Sequence, residues 1–318
     1  MTALSALPSP TLPALIAAEP DRVRTRFLEF FAAEIRNANT RRAYMRAAGD
    51  FLAFAEQLGA TSIAAIGAMH VAAWVEHLSR EASAPTVKQR LAGVRHMLDY
   101  LVTAGALPFN PATSVRGPRH SVKRGKTPVL MAEEARELLD AIDVATPAGL
   151  RDRALIGVMT YAFARIGAVT DMLVEDTFVQ GRRLWLRLHE KGGKIHEMPC
   201  HHRLEEYLVA YMEGCDLIDT PKAPLFQSIG RGTGRLSGHG LAQQDVHAMV
   251  RRRAKAVNIR TPIGNHTFRA TGLTAYLKNG GKLEAAQAMA NHSSPRTTQL
   301  YDRRTDEVTL SEIERVLI

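Results

Sequence analysis

The sequence predicts a mainly α-helical chain of two domains, the first all-helical and the second mostly helical with a small antiparallel sheet. Three observations carry this expectation. The chain has 318 residues, its first third shows four apolar stripes at helical spacing, and one strand–turn–strand pattern interrupts the helical rhythm near residue 190. A domain typically takes about 100–200 residues, so two cores fit better than one. Hydrophobic residues at 46% and charged residues at 23% suit a globular chain and exclude disorder as the default.

Residues 1–20 read as a flexible arm, in which Pro8, Pro10 and Pro13 break the apolar stretches. No signal peptide and no membrane span is expected. Residues 21–115 form the first domain. A helix over 22–36 places Val23, Phe27, Phe30 and Phe31 together; Thr40 is expected to cap a second, carrying Tyr44, Ala48, Phe51 and Leu52, that stops at Gly59. A third, over 69–80, aligns Val71, Trp74, Val75 and Leu78. A fourth follows Pro85, with Val87, Leu91, Val94, Leu98 and Leu101 at steps of four and three. Residues 116–127 are an exposed basic linker, beginning RGPRHSVKRGK, either a solvated strap or a DNA contact.

The second domain spans 128–318, with helical patterns over 132–142, 150–164, 203–212, 241–257, 267–278 and 283–290. Between them RLWLRL, residues 183–188, alternates as a strand. EKGGK, residues 190–194, turns, and 195–198 returns. From about residue 305, Val308, Leu310, Ile313, Val316 and Leu317 mark a short amphipathic C-terminal helix.

Lys and Arg number 41 against 32 Asp and Glu, giving a net charge of +9. That balance favours a polyanionic partner, because each phosphate neutralised releases condensed counterions. Two cysteines make no disulfide framework and fit a reducing, cytoplasmic compartment. Cys200-His201-His202 has the residue types of a metal site. Adjacent side chains diverge, however, so these read as polar residues opening a helix. Gly230, Gly232 and Gly234 lack the Lys-Ser/Thr ending of a phosphate-binding loop and read as a flexible loop. Arg251, Arg252 and Arg253 lie at a helix end, facing solvent or phosphates.

The chemistry gathers toward the C-terminal end. His266 and Arg269 stand three apart, on one face of a helix; His292 follows Arg269 by 23 residues and Tyr301 follows His292 by nine. Arg165 ends a long apolar helix, and Lys191 sits in the hairpin turn, where Lys194 competes for the same role. These groups suit phosphoryl transfer without a metal. Guanidinium forks hold phosphate oxygens bidentately as charge develops. A phenol, with a free pKa of about 10, becomes a nucleophile when cations favour its ionised form and a His takes its proton. A mobile Lys can protonate the leaving oxygen.

These residues resemble the tyrosine recombinases, or phage integrase family, with Xer-like and transposon-borne members the nearest in character. The resemblance covers about residues 22–305. It rests on NPA at 110–112 with VRGPR at 115–119, ARIGAVTDM at 164–172, EKGGK at 190–194, NHTFRATG at 265–272 and MANHSSPRTTQLYDR at 289–303. It implies a SAM-like core-binding first domain and a catalytic second domain closing as a C-shaped clamp on DNA. It further implies Tyr301 as nucleophile forming a 3′-phosphotyrosyl link, Arg165 and Arg269 as phosphate clamp, and Lys191 as general acid. His266 would act in proton transfer and His292 as a donor to a phosphate oxygen. No cofactor, metal or ATP is implied. The implied partner is double-stranded DNA with an inverted-repeat core site, synapsed by a homotetramer whose C-terminal helices dock in neighbouring protomers, in the nucleoid. The sequence departs from the family at three places: Ala168 stands where an acid usually braces the first Arg, Phe163-Ala164 where Gly-Leu is common, and Ala270 where His is frequent. A type IB topoisomerase-like enzyme and a DNA-binding regulator without cleavage are the alternative readings.

Overall fold

A computed structural model describes residues 12–121, 125–190 and 192–302. Lys191, the first eleven residues and the C-terminal helix expected from about 305 lie outside the described residues. The chain divides into two compact units, Met1–Ser121 and Val122–Ile318.

In the first unit, a short helix α1 (Ala14–Ala17) precedes α2 (Asp21–Glu29), α3 (Ala38–Gln57), α4 (Ala68–Glu81) and α5 (Ala84–Thr103). The flexible arm expected to residue 20 is corrected over its later part: Leu15 and Ile16 are buried, and Glu19 accepts a hydrogen bond from the Ile63 amide at 2.7 Å. Two adjacent large apolar side chains repay ordering there. After α2 the chain makes a π turn, Phe30–Glu34, that keeps Phe30 and Phe31 inward. The cap of α3 is Asn37, three residues before the expected Thr40. Its Oδ1 accepts from the amides of Asn39 and Thr40 at 3.0 and 3.1 Å, satisfying two of the helix's orphan donors. The apolar stripes meet in one core around Phe51, Trp74, Leu91 and Leu98, each at most 2% exposed.

The second unit carries α6 (Ala132–Asp140), α7 (Pro147–Tyr161), α8 (Ile166–Thr170), α9 (His202–Gly214), α10 (Gln243–Ala256), α11 (Asn265–Lys278), α12 (Leu283–Met289) and α13 (Pro295–Gln299). Strands β1 (Thr177–Gln180), β2 (Arg183–Glu190) and β3 (Lys194–Pro199) pair antiparallel in that order, from Trp185 opposite Pro199 to Glu190 opposite Lys194. Gly192 and Gly193 close the hairpin at φ 83° and 75°, the left-handed region that glycine enters freely. A second hairpin, β4 (Gln227–Ile229) and β5 (Leu236–Gly240), was not expected, and the glycine-rich loop is its turn. Strands of three and five residues are too short to display a period.

Helices α7 and α11 are buried around most of their circumference and form the centre of this unit. They approach so closely that a Cβ on Gly272 would lie 1.9 Å from the Thr160 carbonyl oxygen. Near the start of α7, fully buried Asp152 accepts from Arg151 Nε and Nη2 at 3.0 and 2.6 Å, and from Arg253 Nε and Nη2 at 3.0 and 2.7 Å. Arg151 Nη1 also donates to the Gln227 carbonyl at 2.9 Å, fastening β4. Arg253 is thereby a structural cation and not a free phosphate contact. His201 caps α9 through Nδ1, as its place before the helix anticipates. Among the described residues, no helix is long and apolar enough to cross a membrane.

Gly272→Ala is expected to lower the unfolding free energy by about 1–3 kcal/mol through overpacking. Asp152→Ala should cost about 3–5 kcal/mol, because the buried guanidinium of Arg151 and the partly buried one of Arg253 lose their counter-charge. Urea denaturation of each variant against the parent measures both.

Candidate active site

The site is assembled from chain breaks between helices of the second unit. Helix α7 ends at Tyr161, and Phe163 then takes φ 49°, unusual for a side-chain-bearing residue. That turn reverses the chain so that Arg165 stands at the N-cap of α8. Helix α12 ends in the same way: Asn291 at φ 46° follows Ala290 and leads directly into His292. Both turns are held by one side chain. Arg269, on α11 and 3% exposed, donates through Nη1 to the Phe163 carbonyl and through Nη2 to the Ala290 carbonyl at 2.6 Å. These carbonyls are acceptors left over at helix ends, where a cation is favoured. A guanidinium carries five N–H donors, so three remain.

His292 is buried, with Nδ1 2.9 Å from the Thr298 hydroxyl. Its ring lies nearly parallel to that of Tyr301, with centroids 5.9 Å apart and planes inclined 12°. The Tyr301 backbone is fixed from two sides: its amide donates to the Thr298 carbonyl at 2.9 Å, and its carbonyl accepts from the Thr274 hydroxyl on α11 at 3.2 Å. Its ring packs on the small apolar cluster of Phe163, Leu273, Leu277, Ala286 and Ala290. Gly125, in the basic run, donates its amide to the carbonyl of Leu300 at 3.0 Å. The hairpin is fastened by His196 Nε2, 3.2 Å from the Met289 carbonyl.

Electrostatics tie the groups together. Burial, helped by the charge of Arg165, pulls Arg269 down to about 10, while Glu190 and Tyr301 act in the opposite direction. Burial first, then Arg269 and Arg165, lowers His266 below the usual imidazole value and His292 to about 4. Both imidazoles are therefore neutral near pH 7. Arg165 Nη1 donates to Glu190 Oε2 at 2.6 Å. A groove of about 1310 Å³ opens beside His266, lined by Lys126, His247, Arg251, Lys255 and Arg260. Arg165, His266, Arg269, His292 and Tyr301 thus share one locale.

Sequence reasoning missed three groups. Glu190 was read only as part of a turn, and Thr298 and Thr274 carried no signal because a Thr on a helix is ordinary. Asp171, near in sequence to Arg165, is exposed at the end of α8.

Residues 128–307 match the phage integrase family, and residues 25–105 match the phage integrase N-terminal SAM-like domain. The chain belongs to the phage integrase family and is a tyrosine-type site-specific DNA recombinase. It is 25% identical over 282 residues to tyrosine recombinase XerD of Listeria monocytogenes serotype 4b (strain F2365), covering 88% of this chain and 93% of XerD. It is 27% identical over 281 residues to tyrosine recombinase XerC of Mycobacterium sp. (strain JLS), covering 85% and 89%. The fold is shared with the XerH recombinase in its post-cleavage complex with palindromic difH, at TM-score 0.70 and 16% identity, covering 93% of this chain and 94% of that one. It is also shared with the lambda integrase (75–356) dimer on a COC′ core site, at TM-score 0.68 and 19% identity, covering 90% and 96%.

The depressed imidazoles set a pH dependence. Unfolded, a histidine titrates near 6.5; folded, His292 titrates near 4. Between those values the unfolded chain binds a proton that the folded chain refuses, so stability is full above 6.5 and declines as pH falls toward 4. Denaturant midpoints across this window should fall, and His292→Gln should flatten the slope; an equally steep slope in the variant would contradict the assignment.

Proposed function

We propose that this chain cuts and rejoins duplex DNA by transesterification at Tyr301. The convergence of two guanidinium groups and two neutral imidazoles around one tyrosine carries this reading. The phenolic oxygen attacks the scissile phosphorus, the bond to the 5′ oxygen breaks, and a 3′-phosphotyrosyl link forms. His266, neutral and open to the groove, accepts the phenolic proton. Lys191 donates a proton to the leaving 5′ oxygen. Arg165 and the remaining donors of Arg269 hold the non-bridging oxygens, where charge grows. The Thr298 hydroxyl, donating to His292 Nδ1, leaves Nε2–H as a further donor to phosphate. Attack by the 5′ hydroxyl of another strand reverses the step, so the bond energy is conserved and neither ATP nor a metal enters.

The groove of Lys126, His247, Arg251, Lys255 and Arg260 supplies phosphate contacts beside the nucleophile. The substrate is an inverted-repeat site in the nucleoid, bound by two protomers and synapsed as a homotetramer, with the C-terminal helix docked on a neighbour. The first helical domain and the basic linker complete the grip on DNA.

A nicked suicide duplex, built from inverted repeats flanking the gene, tests the reading. The parent should trap a covalent protein–DNA adduct, and Tyr301→Phe should bind equally and trap none. An adduct in the Phe variant would exclude Tyr301; binding without any adduct in the parent would make the protein a DNA-binding regulator.

A further inference from the structure

The first arginine of the site has no acid on its own helix. Three residues on, Ala168 is a buried methyl group, and the carboxylate of Asp171 faces solvent. Yet Arg165 is paired: Glu190 Oε2 accepts from its Nη1 at 2.6 Å. The two partners are unequal. The Glu190 side chain is 4% exposed, whereas that of Arg165 is 37% exposed. The carboxylate is therefore the fixed anchor and the guanidinium the group that projects toward solvent. Glu190 is the last residue of β2, the central strand of its sheet, and is held in register opposite Lys194. The next residue in the chain is Lys191.

We propose that Glu190 is the positioning residue for Arg165, a carboxylate supplied by the hairpin strand in place of one on helix α8. The proposal rests on the reading of Arg165 as part of the phosphate clamp. Three consequences follow from the geometry. The pair uses one of five donors, so the rest of the fork stays free for phosphate oxygens. The negative charge offsets the mutual repulsion of Arg165 and Arg269, which otherwise disfavours two cations side by side before DNA arrives. The same ion pair ties the clamp to β2, the strand whose next residue in sequence is Lys191. A displaced Arg165 would thus impair charge stabilisation without changing the nucleophile.

The suicide-duplex assay, run at saturating DNA, separates this from a merely structural role. Glu190→Ala should slow adduct formation on the order of 100-fold, the scale of a small misplacement of a reacting group, with DNA binding retained. Glu190→Gln keeps shape and an acceptor and should recover part of the rate; it also serves if the Ala variant fails to fold. In an Arg165→Ala background, Glu190→Ala or Glu190→Gln should change the rate by less than about twofold, because a residue acting only through Arg165 has nothing left to act on. A folded Glu190 variant that reacts at the parental rate overturns the proposal, as does a defect of undiminished size in the Arg165→Ala background. A parent that forms no adduct overturns the Tyr301 reading and this proposal with it, so the two failures are told apart.

Discussion

The site of this recombinase depends on one buried guanidinium. Arg269 lies in α11 at the centre of the second unit and binds the carbonyls of Phe163, in the turn after α7, and of Ala290, which caps α12. Each of those carbonyls belongs to a reversal with a left-handed residue in it, Phe163 before Arg165 and Asn291 before His292. Left-handed backbone at residues with side chains is disfavoured and persists where surroundings over-determine it. Here the determinant is visible: a cation placed where two helices leave acceptors unsatisfied. One side chain on α11 thus holds both turns.

That economy has an electrostatic consequence. Arg269 and Arg165 are close enough to disfavour each other's charge, and burial adds to the penalty. Glu190 offsets part of it from the sheet. Around this partly offset pair the two imidazoles are held neutral, one of them against the ring of Tyr301. Positive charge in this cluster is thus carried by the guanidinium groups, while the imidazoles stay neutral.

Close packing sets the remaining geometry. Gly272 lets α7 and α11 approach to a distance no Cβ would permit, which brings Arg269 to the end of α7. The Asp152 network, with Arg151 and Arg253, fastens α10 and β4 to α7. Thr274 and Gly125 take hold of the backbone at Tyr301 and Leu300, so the tyrosine is placed by main-chain contacts as well as by its ring.

The sequence by itself determined much of this. Helical period fixed the buried faces of α3, α4 and α5, because a stripe such as Val71, Trp74, Val75 and Leu78 has only one side to bury. The Gly-Gly turn between alternating strands fixed the hairpin, and the ordered spacing of His266, Arg269, His292 and Tyr301 singled out side chains that the fold brings into one locale. Short or irregular features stayed illegible: the two-strand β4–β5 hairpin, the packed α1, and the cap at Asn37 in place of Thr40. Partners distant along the chain were decided only by tertiary structure. Nothing local pairs Arg165 with Glu190 across 25 residues, Asp152 with Arg253 across 101, or Arg269 with the Phe163 carbonyl across 106. The reason is physical. Periodicity reports which face of an element is apolar, whereas an ion pair or a helix-end hydrogen bond exists only once packing has brought the two elements together.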